Sequence, residues 1–148
     1  MRFSKLSLKD LIVSRIESGE DLLEGIRQIV LESGVTAGFL SVIGAVDRAC
    51  YGFYIPKTRS YTSHKWNPTP DSSPALEILS CLGNVALLED EVVVHAHITL
   101  SGVKGELLGG HLQEGCRVNP TAELTLLTAE GTLRRKRNET LNLALLSM

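Results

Sequence analysis

The sequence predicts an α+β fold, a single domain with a mixed or antiparallel sheet of about six to eight strands and one long amphipathic helix packed on it. Two observations predict this class. Short apolar segments separated by turn residues recur along most of the chain and indicate strands. One segment near the N-terminus has apolar residues at helical spacing. The chain has 148 residues, enough to bury one core, so residues 1–148 are expected to form a single domain.

The helix is predicted to begin at Gly19-Glu20-Asp21 and to end at Gly34. Acidic residues at its start suit the positive end of the helix dipole, and glycine is a typical residue just after a helix. Its apolar residues fall at i, i+1, i+4, i+7 and i+8, a stripe that would cover one side of a sheet. These residues are Leu22, Leu23, Ile26, Ile29 and Val30.

Strands are predicted wherever apolar or β-branched residues run between turn signals. Their ranges are 10–16, 37–43, 46–55, 75–82, 91–101, 121–129 and 141–146. Gly83-Asn84 is expected to end the fourth of these strands, and Gly109-Gly110 to form a tight turn. Residues 56–74 are rich in Pro, Ser and Thr without periodicity, which indicates a loop.

The composition of the chain limits the kinds of partner and the cellular compartment that we expect. A formal net charge of -2 gives no general attraction to nucleic acid or to an anionic membrane. No apolar run approaches the roughly 20 residues of a membrane span, and the N-terminus lacks the apolar core of a signal peptide. We therefore expect a cytoplasmic protein without membrane contact. The three cysteines lack the spacing of a disulfide framework or a zinc ribbon, so buried thiols are expected.

Three of the four histidines lie in two neighbouring segments. His95 and His97 are two residues apart in a predicted strand, so their side chains share a face and their Cα atoms lie roughly 6.6 Å apart. Both imidazoles could then reach one ion at about 2.1 Å. The turn at Gly109-Gly110 would present His111 beside them. The pattern predicts a three-histidine metal site, with zinc or another divalent transition metal as its cofactor.

Three histidines leave a coordination position open, as in catalytic zinc sites, whereas a ligand from a neighbouring subunit would make the site structural. The alternative is that the histidines only form hydrogen bonds across strands or subunits. Three carboxylates could support the site as hydrogen-bond partners of the histidines or as a general base. They are Glu77, Glu106 and Glu123, each of which could instead be a surface or salt-bridge residue.

One basic run, Arg134-Arg135-Lys136-Arg137, is the candidate for nucleic-acid binding. Adjacent cations can contact phosphates. However, no aromatic residues lie between them to stack on bases, and consecutive residues of a strand face opposite ways. The pattern favours a solvated group of charges.

The order of motifs resembles the PPC domain (plants and prokaryotes conserved), also called the AT-hook-associated domain, from about Leu6 to Leu146. The residues that carry the resemblance are 19–23 (GEDLL), 77–84 (EILSCLGN), 95–101 (HAHITLS), 109–112 (GGHL) and 121–124 (TAEL). The prokaryotic members usually consist of the domain alone, and this chain resembles that stand-alone type.

The resemblance implies an α+β fold that assembles as a homotrimer, a regulatory role associated with DNA or transcription, and in some members a metal held by histidines that match His95, His97 and His111. This chain has no Arg-Gly-Arg-Pro hook for the minor groove, which makes DNA a weakly supported partner. Two alternatives stay open. One is a metal-dependent enzyme acting on a small molecule, with Glu106 or Glu123 as base, and the other is a purely structural trimeric module.

Overall fold

A computed structural model describes residues 2–148, of which most lie in strands. The elements in chain order are β1 (Leu8–Glu17), α1 (Leu22–Glu32), β2 (Gly38–Gly52), β3 (Tyr54–Ile55), β4 (Ser60–Tyr61), β5 (His64–Trp66), β6 (Leu76–Leu88), β7 (Glu91–Ser101), β8 (Leu107–Leu112), β9 (Arg117–Ala129), β10 (Arg134–Asn138) and β11 (Leu143–Leu146).

The main sheet has nine strands in the order β1-β9-β2-β8-β7-β6-β10-β11, with β5 paired to β2. The strand β2 also pairs with β6, so β2, β6, β7 and β8 form a closed circuit of hydrogen-bonded neighbours. All pairs are antiparallel except β6 with β10, which makes the sheet mixed. The prediction of a mixed sheet with one helix is confirmed, but the sheet has more strands than the predicted six to eight.

Residues 2–148 contain one helix, and its 11 residues are fewer than predicted, because Asp21 and Gly34, at the predicted start and end, flank the helix rather than form part of it. Asp21 is the N-cap, and its carboxylate accepts hydrogen bonds from the amides of Glu24 (3.1 Å) and Gly115 (2.7 Å). Such a cap typically contributes about 1 kcal/mol. Gly34 follows the last turn with a φ of 65°, a conformation that favours glycine. The apolar stripe is buried in the core.

Two predicted turns are instead interior parts of strands. The strand β6 continues through Gly83-Asn84 to Leu88, and its hairpin turn lies at Glu89-Asp90, where both φ angles are positive. A Cβ on Gly83 would overlap the carbonyl oxygen of His95 on β7. Glycine is needed there because the two strands approach closely, not because the chain turns.

The pair Gly109-Gly110 lies within the continuous strand β8, so the predicted turn before His111 is wrong. A Cβ on Gly109 would overlap the carbonyl oxygen of Ile98, and one on Gly110 would lie 2.7 Å from the carbonyl oxygen of Gly52. The break predicted at Gly44 is likewise only a register irregularity within the single strand β2. In each case the glycine lies within a strand, where an added Cβ would come within 2.7 Å of a neighbouring strand and where φ lies between +136° and +157°, a range that favours glycine.

The two faces of the sheet differ in burial. On β7 the residues Val94, Ala96, Ile98 and Leu100 are buried in the same core as the helix. The alternate residues of β7 point to the opposite side, called here the outer face. A row of paired residues crosses this face from β1 to β8: Val13, Thr125, Ser41, Leu82, His97 and His111. Within residues 2–148, no helix has the length and apolar character to cross a membrane.

The ion pair between Asp47 on β2 and Arg117 on β9, in which only the carboxylate is buried, gives a testable stability prediction. Asp47 is 8% exposed and accepts hydrogen bonds from Arg117 Nε (2.6 Å), Arg117 Nη2 (2.8 Å) and Asn119 Nδ2 (2.8 Å). The hydrogen bonds from Arg117 are the main reason that the pKa of Asp47 lies below its ordinary value. We expect Asp47→Asn to lower the free energy of unfolding at neutral pH by about 1–3 kcal/mol, measured by urea denaturation.

The difference in unfolding free energy between wild type and Asp47→Asn should depend on pH. Because the pKa is lower in the folded state than in the unfolded chain (about 3.9), the stabilisation by Asp47 is present above about pH 4. It is lost as the pH falls through the folded-state pKa, so the two proteins should converge in acid. Asp90→Asn is the matched control, since the Asp90 side chain is 82% exposed in its pair with Arg134. A difference from wild type that does not change in acid would contradict the prediction.

Candidate metal centre

The three histidines predicted to share a site come together on the outer face. His95 and His97 project from β7, and His111 lies directly opposite His97 on β8. Their ring centroids are 5.0–5.6 Å apart. One ring nitrogen from each lies within 4.8 Å of the other two. We call these three residues the histidine cluster.

Two features of the sequence create this geometry. The two-residue spacing puts His95 and His97 on one face of β7, as predicted. Gly109 and Gly110 allow β8 to lie close against β7 and against the end of β2, which sets the position of His111. The local sequence therefore aligns the first two histidines, and the non-local strand pairing adds the third.

Burial and nearby positive charge disfavour protonation of two imidazoles in the histidine cluster. Burial, and then the nearby Arg135 and the other two imidazoles, lower the pKa of His95 to about 4. Burial, then His97 and Arg135, also lower the pKa of His111. Both imidazoles are therefore neutral near pH 7, the state in which histidine binds a metal. The Nδ1 atom of His111 is buried and has no hydrogen-bond partner. Such an atom is costly to bury unless something binds it.

Arg135 borders the histidine cluster and is only 8% exposed. Its Nη1 donates to the carbonyl oxygen of Ala144 (2.7 Å), and its Nη2 donates to Asn84 Oδ1 (2.7 Å) and to His95 Nδ1 (3.2 Å). A guanidinium can only donate, so Nδ1 of His95 is the acceptor in this arrangement and the proton of the neutral ring lies on Nε2. For His95 to bind a metal, the ion would have to replace Arg135 at Nδ1, or the proton would have to move from Nε2 to Nδ1. The Nε atom of Arg135 is buried without a partner. Burial also lowers the pKa of this guanidinium.

A cavity of about 320 Å³ opens beside His95, His111 and Arg135. We call it the β11 cavity, since β11 forms one of its walls. Its remaining lining residues are Arg27, Tyr61, Val93, Val94, Leu143, Ala144 and Leu145. The ring of Tyr61 lies 4.6 Å from that of His111, centroid to centroid. A second cavity of about 480 Å³ shares Tyr61 and His111, so the histidine cluster is bordered by open space on two sides.

The structure does not bring the three predicted carboxylates to this site. Glu77 and Glu123 are exposed on β6 and β9, opposite Ser101 and Arg15. Glu106 accepts hydrogen bonds from the Lys104 amide (3.1 Å) and from a serine hydroxyl, which holds the turn before β8. Within residues 2–148, the histidine cluster is the one group of three or more His, Cys, Asp or Glu residues placed to share an ion.

The basic run does not form one continuous surface. Arg134 pairs with Asp90 (2.8 Å), Arg135 turns inward, and Lys136 and Arg137 are exposed. The role of Arg135 beside the histidines was missed at the level of sequence. Alternation along a strand was the available signal, because it requires some members of a basic run in a strand to face inward.

Tyr61 was also missed. It lies in the segment 56–74, which was predicted to be a loop but contains the short strands β4 and β5. No local pattern relates Tyr61 to His111, which is 50 residues further along the chain.

The family of this chain is shown by the match of its sequence to a family model. Residues 4–130 match the model of the Plants and Prokaryotes Conserved (PCC) domain. The chain belongs to the PCC family. The histidine cluster lies within the matched part of the chain, whereas Arg135 and β11 follow it.

Solved structures share the PCC fold. A metal-containing protein from Archaeoglobus fulgidus is 29% identical, with 100% of both chains covered and a TM-score of 0.87. A plant- and prokaryote-conserved protein from Pyrococcus horikoshii is 28% identical, with 100% of this chain and 98% of that chain covered and a TM-score of 0.87. A protein from Bacteroides thetaiotaomicron, whose name suggests DNA binding, is 23% identical over 96% of both chains with a TM-score of 0.84, which shows a shared fold.

A PCC-like region also occurs within longer proteins. The bifunctional protein GlmU from Synechococcus sp. (strain JA-2-3B'a(2-13)) is 32% identical over 115 residues. The matched region is 76% of this chain and 16% of that protein. The chain thus spans less than a fifth of the length of the curated relatives it matches.

The cysteines are buried thiols, as predicted. Burial is the main cause that raises the pKa of both Cys81 and Cys116 to about 12. Because the thiolate is the reactive form, we expect both to resist iodoacetamide at mildly alkaline pH in the folded protein and to react in denaturing urea. Peptide mass mapping after each treatment measures this. Rapid alkylation of either residue without denaturant would contradict the prediction.

Proposed function

We propose that this PCC protein binds one divalent transition-metal ion, with zinc as the first choice, through His95, His97 and His111. The convergence of three imidazoles on one sheet face is the observation that carries the proposal. A metal bound at Nδ1 of His111 would also give that buried atom a partner. The three ring nitrogens already lie within 4.8 Å of one another, a spacing at which they could hold one ion. The resemblance to a metal-containing protein gives further support.

The proposed role is regulatory binding of a small molecule at the metal. Three protein ligands leave a coordination position available to an outside molecule, and the β11 cavity provides space beside it. A metal-dependent enzyme is the second candidate, favoured by the same open position. None of the carboxylates proposed as a base lies in the histidine cluster, which favours binding over hydrolysis.

A role associated with DNA or transcription remains part of the proposal through the family and the names of similar proteins. The residues available for direct contact are Lys136 and Arg137, since Arg134 is paired and Arg135 is buried. Direct binding through this run should weaken steeply with salt and with Arg137→Ala. If the protein binds DNA with an affinity that neither salt nor Arg137→Ala changes, the basic run does not contact the DNA.

We also propose that the chain forms a homotrimer, as its family resemblance implies. The outer face carries apolar side chains that are about half exposed or more, which a subunit interface would cover. They include Leu11, Val13, Phe39, Ile43 and Leu82. Light scattering coupled to size exclusion should give three times the chain mass of 16.1 kDa. Leu82→Glu should shift the mass to that of the monomer, and a monomeric wild type would contradict the proposal.

Elemental analysis of untagged protein tests the metal proposal most directly. We expect about one zinc or related metal per chain, lost in both His95→Ala and His97→Ala. A stoichiometry near one metal per three chains would instead indicate an ion on a symmetry axis and contradict a site within each chain. If no metal binds even after incubation with zinc, the histidines are hydrogen-bonding residues and the proposal is wrong.

A further inference from the structure

The guanidinium of Arg135 is a buried cation without an acidic partner. It is 8% exposed, its Nε has no hydrogen-bond partner, and none of the ion pairs found within residues 2–148 includes it. Its other nitrogens donate to neutral acceptors. Burying a charge is costly unless it is paired. The surroundings of Arg135 therefore lack a negative charge.

The lining of the β11 cavity as a whole also lacks a negative charge. No residue lining the β11 cavity, within the described part of the chain, is acidic. The other cation in its wall, Arg27, is already paired with Glu114 and Glu24. A divalent ion on three neutral imidazoles would add two further positive charges beside Arg135. The β11 cavity itself offers no acidic side chain to balance the proposed ion and the guanidinium.

The walls of the cavity indicate what kind of anion fits. Besides His95, His111 and Arg135, half of the lining residues are aliphatic and come from β7 and β11. The volume of about 320 Å³ is at the lower limit of ordinary small-molecule sites. A small organic carboxylate with an apolar body matches both kinds of lining residue, whereas inorganic phosphate would leave the aliphatic walls without a partner.

We propose that the β11 cavity binds a small organic carboxylate, whose negative group has Arg135 and the bound metal as its two cationic partners. This inference rests on the proposed metal site. It makes Arg135 the residue that selects for an anion, and the β7 and β11 side chains the residues that select for an apolar body.

Cobalt-loaded protein with benzoate as the probe tests this, because the visible absorption of Co²⁺ reports the ligands around it. Benzoate should change the spectrum saturably, and the neutral isostere benzamide should not. A cobalt spectrum that benzoate leaves unchanged, that benzamide changes equally, or that only inorganic phosphate changes would overturn the carboxylate proposal alone. Absence of any protein-bound cobalt spectrum would overturn the metal site and this inference with it.

Neighbouring arginines provide matched variants. Arg135→Gln should weaken benzoate binding by about 10–100-fold, the usual effect of losing hydrogen bonds to a charged group. Arg134→Gln, which changes an exposed arginine in the same strand, should leave the affinity within about twofold of wild type. The cobalt spectrum before benzoate is added shows whether each site is intact. If Arg135→Gln fails that check, the wild-type comparison of benzoate with benzamide decides. Equal affinities in intact variants would overturn the proposal.

Discussion

Replacing His111 with alanine is expected to weaken zinc binding by more than about 100-fold. Even residues that only orient a metal ligand change affinity by about 10–100-fold, and His111 would be a ligand itself. Two nitrogens from β7 cannot hold zinc as three do, since structural and catalytic sites use at least three protein ligands. Competition against a chromophoric chelator of known zinc affinity measures the change.

His64→Ala is the matched control for that experiment. His64 is the fourth histidine and lies outside the histidine cluster, with its ring stacked on Tyr51 at a centroid distance of 5.8 Å. Its replacement should leave zinc affinity unchanged. Equal losses in both variants would show that histidines bind zinc non-specifically, and the three-histidine site would be wrong.

Gly109→Ala is expected to damage both stability and metal binding, although it adds only a methyl group. The new Cβ would overlap the carbonyl oxygen of Ile98, so β8 would have to move away from β7. The cost is expected at about 3 kcal/mol, the upper part of the usual range for overpacking. His111 lies two residues along the same strand, so its displacement should also weaken zinc binding. Chemical denaturation and the same zinc competition measure the two effects.

The control for this change is Gly105→Ala. Gly105 has a φ of +80°, and nothing lies within 4 Å of an added Cβ. Alanine there should cost only about 1 kcal/mol of backbone strain and should not alter zinc affinity. If the two glycine variants behave alike, backbone conformation rather than close strand packing explains the cost at Gly109.

Local patterns were sufficient for the strand that carries the first two histidines. The predicted range 91–101 is the observed range of β7, and its buried and outer faces are as expected from strict alternation. The helix ends were also found, because capping residues act within one turn. These features depend on residues that are close in sequence, which explains why periodicity and capping rules predict them.

Features that depend on the distance between strands could not be predicted in the same way. In a sequence, a glycine can indicate either a turn or a close approach between two strands. Nothing in the local sequence distinguishes Gly83 and Gly109 from glycines that turn the chain. Only the position of the partner strand distinguishes the two cases. The inward orientation of Arg135 has the same origin, because it follows from the pairing of β10 with β6 and β11.

The boundary of the family match divides the proposed site into two parts. The three proposed metal ligands lie within residues 4–130, the part that the family model matches, while β10 and β11 follow that boundary. Those two strands provide Arg135 and one wall of the β11 cavity, and they join the sheet at its edge. We therefore expect substitutions in this terminal hairpin to change the ligand that the β11 cavity accepts, and at Arg135 also to affect His95, to which Arg135 donates a hydrogen bond.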